Sequence, residues 1–360
     1  MRAAVTSGDA RAASLSDTGM MAAKPSPPLL DCPFSNQVSP HAADVDEHVL
    51  DWACRFGLLS DQAEIERFRQ AQVGRLAART SPDSDPEALQ LLADWQMWLF
   101  IFDDHYCDES ETGSHPERLA RIITPFLWVL EHAGRKRVST NRLAIALADL
   151  MGRLSAQASG GQLFRFVSAV RGYFLAQYWE AGRRVDSRPA GLAEYQVMRR
   201  HSGAVPTCVA LIDVAGGFEL PFAEYCRDDV RELTDMAVNV TCWANDIMSY
   251  PKEAARSLVV HSLPAVLARE LKLDTAQALT AAAALHDAEV ARYLAAEPAT
   301  RRGASPELRQ YLAGLRNWMG GNFYWSWETG RYGLSSGAAG SAPPGGATVR
   351  RPAHQAESPG

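Results

Sequence analysis

The sequence lacks the patterns that mark membrane, secreted and zinc-binding proteins. No stretch of its 360 residues approaches the ~18 consecutive apolar residues of a membrane span, and the most apolar stretch, 91–102, is interrupted by Asp94 and Gln96. The N-terminus has no apolar segment typical of a signal peptide. The six cysteines form no CxxC pair, which predicts neither a zinc site nor a disulfide framework. We therefore expect a soluble protein of the cytoplasm.

The sequence also lacks an excess of positive charge. Lys and Arg together number 36 against 42 Asp and Glu, which gives a net charge of −6. A mildly acidic chain is not typical of a protein that binds nucleic acid or an anionic membrane surface. We expect neither as a partner.

Aromatic residues are absent from both ends. Residues 1–28 and 335–360 contain none of the 31 Trp, Tyr and Phe residues, although they hold 7 of the 20 prolines. Segments with so little to bury cannot offset the entropy lost on ordering. The pattern predicts two disordered tails around one folded domain, 29–334, which is long enough for a single core.

The folded part reads as a succession of helices. Asp44 and Glu47 resemble a capping box, and Asp85 followed by Pro86 is typical of a helix start. Strand-type alternation is scarce, so the predicted fold class is all-α, with about ten or more helices in one domain. Helices are predicted at about 44–56, 61–76, 87–107, 117–133, 140–157, 161–184, 190–202, 206–217, 228–250, 257–270, 275–296 and 305–329.

The first motif with chemical content lies at the end of an apolar, aromatic predicted helix. Segment 102–109 reads FDDHYCDE and contains four carboxylates. A helix C-terminus already carries partial negative charge, so clustered acids there are costly unless a cation binds them. Carboxylate oxygens suit Mg²⁺, which also accepts phosphate oxygens. A solvated acidic turn is the alternative for an isolated Asp-Asp pair.

A second motif follows 142 residues after the first aspartate. Asn245, Ser249 and Glu253 are spaced at i, i+4 and i+8, which aligns three oxygen-bearing side chains on one helix face. Pro251 should kink this helix, so the position of Glu253 depends on the kink. Such a set can bind one hard divalent ion, although the pattern alone also arises by chance.

Together the two motifs resemble those of the class I terpene synthases, particularly the bacterial terpene cyclases. The resemblance implies a helical bundle with an active-site cavity between helices and three Mg²⁺ ions that hold the substrate diphosphate. The implied metal ligands are Asp103, Asp108, Asn245, Ser249 and Glu253, and Asp104 and Glu180 are implied to support them. At the fifth position of the Asp-rich motif, where the family usually has an acid, this chain has Cys107. The acid Asp108 follows one place later.

Further positions match the same family over 29–334. Arg199 lies 46 residues before Asn245, where the family places a diphosphate-sensing arginine. Arg200 is one residue out of register for this role. The resemblance implies that diphosphate is bound by Arg199, Lys252, Arg331 and Tyr332. It implies a helix break with an effector carbonyl at Ser202 and Gly203, and an aromatic lining for a carbocation at Phe100 and Trp325.

The implied activity is Mg²⁺-dependent ionisation and cyclisation of an isoprenyl diphosphate. The expected substrate is farnesyl diphosphate, and the alternative is geranyl or methylated geranyl diphosphate. A chain-elongating prenyltransferase would share the fold, but it should carry a second Asp-rich motif at 245–253. A non-catalytic helical binding module would not explain the paired motifs. The resemblance also suggests a homodimer.

Overall fold

The computed structural model describes residues 27–107, 111–133, 135, 140–186, 190–254 and 261–332, with the backbone alone at 111, 186 and 252–254. Both predicted tails, apart from residues 27 and 28, fall outside these residues. So do Asp108 and the side chains of Lys252 and Glu253, which the sequence predicts to bind metal or diphosphate.

Every regular element among the described residues is a helix, which confirms the all-α prediction. None of the described helices has the length and apolar character needed to cross a membrane. The helices are α1 (Ala42–Arg55), α2 (Gln62–Ala71), α3 (Val73–Thr80), α4 (Pro86–Tyr106), α5 (Pro116–Glu131), α6 (Arg142–Gln157), α7 (Gly160–Asp186), α8 (Leu192–Ser202), α9 (Val205–Val209), α10 (Ile212–Ala215), α11 (Phe222–Tyr225), α12 (Asp228–Ala254), α13 (Leu263–Leu271), α14 (Thr275–Arg301) and α15 (Pro306–Glu328), with short 3-10 helices at Glu111–Ser114 and Gly330–Tyr332.

Helix starts follow local chemistry in one case and not in another. The Asp85 carboxylate accepts a hydrogen bond of 2.9 Å from the Ala88 amide, and Pro86 occupies the first helical position, as predicted. The predicted capping box at Asp44 is wrong, because α1 already begins at Ala42 and has no side-chain cap. Asp44 instead lies in the first turn, where its charge still favours the helix dipole.

Two predicted helices are each divided in the structure. The helix predicted at 61–76 breaks at Gln72, whose φ of 52° is left-handed. The break allows α3 to pack closely on α1: a Cβ on Gly74 would lie 2.5 Å from the backbone nitrogen of Asp46. The helix predicted at 206–217 is also divided, into α9 and α10, but Ala210 and Leu211 between them keep right-handed backbone angles. Tertiary packing overrides helical periodicity at Gln72.

The core is built around α4. Its buried Trp95, Trp98 and Phe102 stack in sequence, with ring centroids 5.4 Å and 5.2 Å apart. The Trp98 indole donates a hydrogen bond of 2.9 Å to the Leu143 carbonyl, so its polar atom is also satisfied. The three aromatics are core residues, and they fix the helix whose other side meets the cavity described next.

Candidate active site

A cavity of about 230 Å³ lies between α4, α7, α8, α12, α15 and the last 3-10 helix. It brings together twelve of the fifteen residues that the sequence predicts for the site. They are Phe100, Asp103, Asp104, Glu180, Arg199, Ser202, Gly203, Asn245, Ser249, Trp325, Arg331 and Tyr332. The other three are Asp108, Lys252 and Glu253, noted above as outside the described side chains.

Helix α4 supplies one wall of the cavity through its spacing. Gln96, Leu99, Phe100 and Asp103 all line the cavity, at the i, i+3, i+4 and i+7 positions that share one helix face. The ring of Phe100 lies 5.7 Å from that of Trp325, centroid to centroid. Towards the C-terminus of the helix, the wall thus passes from the amide of Gln96 through apolar Leu99 and Phe100 to the carboxylate of Asp103.

Asp104 is held by two arginines. Arg331 donates to its two oxygens at 2.8 Å and 3.3 Å, and an Arg67 nitrogen lies 3.1 Å from one of them. The Arg331 guanidinium carbon also lies 4.6 Å from the ring centroid of Phe100. Burial alone would lower the pKa of Arg331, but the Asp104 carboxylate reverses this and raises the pKa above its ordinary value. Arg331 is therefore a fixed positive charge at the cavity.

The second motif meets the C-terminal segment and Arg199. The Asn245 amide donates to the Tyr332 hydroxyl at 2.6 Å, and its carbonyl oxygen accepts from Arg199 at 3.1 Å. Tyr332 follows Arg331 directly in the chain, so a continuous set of contacts links the two sequence motifs. We call the cavity region around Asp103, Asp104, Arg199, Asn245, Arg331 and Tyr332 the polar end.

Arg199 depends on a residue that the sequence reasoning missed. Asp246 accepts from the Arg199 guanidinium at 2.8 Å, from the Leu263 backbone amide at 2.7 Å and from the Tyr195 hydroxyl. Burial would lower the pKa of Arg199, but Asp246 raises it well above the ordinary value. The available signal was the position of Asp246 next to Asn245, as the only charged residue between Asp235 and Lys252. Arg200, one residue on, lies 3.7 Å from Asp235 and does not line the cavity.

The helix break predicted at Ser202 and Gly203 is present. Helix α8 ends at Ser202, Ala204 has a left-handed φ of 59°, and α9 begins at Val205. A Cβ on Gly203 would lie 2.6 Å from the Cys242 sulfur, so the break depends on glycine for its close approach to α12. The Gln177 amide donates to the Ser202 carbonyl at 3.2 Å and holds the end of α8.

Glu180 is buried beside a second residue that the sequence reasoning missed. Burial raises the pKa of Glu180, but neighbouring positive charge, chiefly that of Arg184, lowers it by more than burial raises it. The pKa of Glu180 is therefore below its ordinary value. Arg184 donates to Glu180 at 3.2 Å from the next helical turn. This i, i+4 spacing of acid and arginine was the signal available in the sequence.

The donor atoms at the cavity fit a hard divalent cation. The carboxylate of Asp103, the amide oxygen of Asn245 and the hydroxyl of Ser249 all belong to cavity-lining residues. The Ser249 hydroxyl is buried and has no hydrogen-bond partner among the described residues. Such oxygen donors suit Mg²⁺. Within the described part of the chain, no group of three or more His, Cys, Asp or Glu side chains could hold a metal ion by itself.

Known proteins are similar to this chain in sequence and in fold. The model of "Terpene synthase family 2, C-terminal metal binding" matches residues 94–292. A (+)-T-muurolol synthase of Roseiflexus castenholzii, described as (2E,6E)-farnesyl diphosphate cyclizing, is 38% identical over 83% of this chain and 92% of its own length. A 4-epi-cubebol synthase of Streptosporangium roseum with the same description is 33% identical over 85% of this chain and 92% of its own.

A similar solved structure is a cucumene synthase variant. It has a TM-score of 0.74 and 27% identity, and the match covers 84% of this chain and 99% of that one.

Proposed function

The chain belongs to terpene synthase family 2, within the class I terpene synthases, and we propose that it ionises and cyclises farnesyl diphosphate to a cyclic sesquiterpene and diphosphate. The observation that carries this proposal is the linked set of arginines, carboxylates and amide at one end of an aromatic-walled cavity. The choice of the C15 substrate rests on the relatives described as cyclizing farnesyl diphosphate.

Asp103, Asp108, Asn245, Ser249 and Glu253 would hold Mg²⁺, three ions as the resemblance implies. Bound there, the ions would neutralise the charge that develops on the diphosphate as the carbon–oxygen bond breaks. Asp104 and Glu180 would support the site without binding metal, since both carboxylates are engaged by arginines.

Arg199, Arg331 and Tyr332, together with Lys252, would bind the diphosphate oxygens directly. The carboxylates of Asp246 and Asp104 fix the two guanidinium groups before substrate arrives, so little side-chain entropy is lost on binding. Their fixed positive charge favours departure of the diphosphate. Ser202 and Gly203, at the helix break, would direct a backbone carbonyl towards the reacting carbon.

The rest of the cavity would bind the hydrocarbon chain and protect the carbocation. Phe100 and Trp325 offer aromatic faces, which attract cations, and Leu76, Leu99 and Trp318 add apolar surface. These side chains carry no nucleophile that would trap the cation prematurely.

The test is incubation of the purified full chain with C10, C15 and C20 isoprenyl diphosphates, with Mg²⁺ or with EDTA. We expect Mg²⁺-dependent diphosphate release, greatest with the C15 substrate, and cyclic C15 products by mass spectrometry. Asp103→Ala and Asn245→Ala should each lower the rate at least about 100-fold, the scale for losing one group that stabilises developing charge.

Asp83→Ala is the matched control, because Asp83 is exposed and does not line the cavity. It should leave the rate within twofold of wild type. An absence of diphosphate release from every substrate, or full activity in both site variants, would refute the proposal.

A further inference from the structure

Gln96 differs from every other buried amide side chain in the described structure. Five Asn and Gln residues are buried, and four of them donate a hydrogen bond: Gln162, Gln177, Asn239 and Asn322. Gln96 is 3% exposed, yet neither its oxygen nor its nitrogen has a partner among the described residues. An unpaired buried amide is destabilising, so a native protein retains one when something else binds it.

The position of Gln96 indicates what it could bind. It lines the cavity on the same face of α4 as Phe100 and Asp103, seven residues before Asp103 and so roughly 10 Å from it along the helix axis. Leu99 and Phe100 lie between Gln96 and the acidic end of the helix. The amide therefore lies among the groups that would contact the hydrocarbon, away from those that would bind diphosphate.

A hydrocarbon chain offers no hydrogen bond to an amide, whereas water can both donate and accept one. We propose that Gln96 binds a water molecule within the hydrocarbon part of the cavity and positions it to end the reaction. This inference rests on the proposed function, and it makes the main product a sesquiterpene alcohol.

The step balances without an added oxidant or reductant. A lone pair of the water oxygen forms a bond to the cationic carbon of the cyclised intermediate. One O–H bond of that water then breaks, and its proton passes to an oxygen of the diphosphate released at the start. Gln96 is unchanged and acts as a positioning residue through its hydrogen bond to the water.

The experiment compares wild type, Gln96→Met and Gln90→Met with farnesyl diphosphate and Mg²⁺ in ¹⁸O-labelled water. Methionine closely matches the volume of glutamine and removes its strong hydrogen-bonding groups. Gln90 lies on the same helix, is half-buried and does not line the cavity, so it is a matched control. Products are identified by mass spectrometry, and diphosphate release is measured in parallel to give total turnover.

We expect wild type and Gln90→Met to yield mainly alcohol that carries ¹⁸O. In Gln96→Met the ratio of alcohol to hydrocarbon should fall about tenfold, which corresponds to about 1.4 kcal/mol between the two outcomes. Gln96→Leu gives a second test if the methionine variant does not fold.

Three results would overturn the inference. Wild type could release diphosphate and form hydrocarbon alone, the Gln96 variants could keep the wild-type ratio, or Gln90→Met could change it equally. A wild-type protein that releases no diphosphate from any substrate would instead refute the proposed function.

Discussion

Two arginine–carboxylate pairs contribute to the polar end, and the structure holds them in different ways. The Arg199–Asp246 pair lies among α8, α12 and α13, and Asp246 also accepts from Tyr195 and the Leu263 amide. The Arg331–Asp104 pair joins α4 to the short 3-10 helix Gly330–Tyr332. The other arginine at Asp104, Arg67, is 46% exposed.

The Arg331–Asp104 pair is held less firmly than the Arg199–Asp246 pair because of where Arg331 is anchored. Arg331 follows the end of α15, where Glu328 binds Arg75 at 2.9 Å and the Thr329 hydroxyl donates to the Ala71 carbonyl at 2.9 Å. These contacts form along a few residues near the end of the described chain, whereas Asp246 of α12 is held by residues of two other helices, α8 and α13. We infer that the Arg199–Asp246 pair mainly stabilises the fold and that the Arg331–Asp104 pair mainly serves binding.

The largest expected effect tests the first half of this comparison. Asp246→Ala leaves the buried Arg199 guanidinium without its carboxylate and should lower the free energy of unfolding by about 3–5 kcal/mol. Urea denaturation followed by circular dichroism measures the loss. Asp235→Ala is the control on the same helix, because Asp235 is exposed and 3.7 Å from Arg200, and it should change stability by less than about 0.5 kcal/mol. Equal losses in both variants would contradict the assignment.

The second prediction concerns Arg331. Arg331→Met should lower kcat/KM for diphosphate release about 100- to 1000-fold, since it removes a fixed charge at the departing group. Its loss of unfolding free energy should be less than half that of Asp246→Ala, because Asp104 keeps Arg67 at 3.1 Å.

Steady-state kinetics and urea denaturation of the same Arg331→Met preparation test both statements. Arg309→Met, at an exposed position of α15, should leave kcat/KM within twofold and stability nearly unchanged. A large stability loss with retained activity would reverse the comparison between the two pairs.

The third and smallest effect tests how tightly α8 and α12 meet beside Arg199. In Gly203→Ala the new methyl group would lie 2.6 Å from the Cys242 sulfur, so the unfolding free energy should fall by about 1–3 kcal/mol. Adding Cys242→Ala should recover more than half of the loss, measured as a double-mutant cycle.

Gly182→Ala is the control for Gly203→Ala, and its expected change in unfolding free energy has the opposite sign. It lies within α7, and apart from its own chain neighbours and helix backbone no described atom lies within 4 Å of the new Cβ, so it should stabilise by about 0.5–1 kcal/mol. Equal behaviour of the two glycine variants would show that the α8–α12 contact is loose.

Local chemistry was enough to predict much of the fold. The cap at Asp85 and the apolar, aromatic helix that follows it depend on residues close in sequence, and the structure confirms both. The break at Gln72 was missed because its cause, the packing of Gly74 on the backbone of α1, joins distant segments.

The candidate site divides in the same way. Residue type and spacing identified Asp103, Asn245, Ser249 and Arg331 as candidates, because oxygen donors and arginines at those positions resemble a known pattern. Their placement in one cavity was an expectation until the structure put them there.

The sequence by itself determined the helical class, several of the polar residues that line the cavity and the family that they resemble, because these follow from periodicity and residue chemistry. Only the tertiary structure decided that Asp246 holds Arg199, that Arg331 binds Asp104 and that Gln96 faces the cavity unpaired. Partners of a buried charge or amide come from helices far apart in the chain. A buried charge or amide without a partner is strongly destabilising, so these pairings matter for stability. Which groups are buried is settled only when the chain folds.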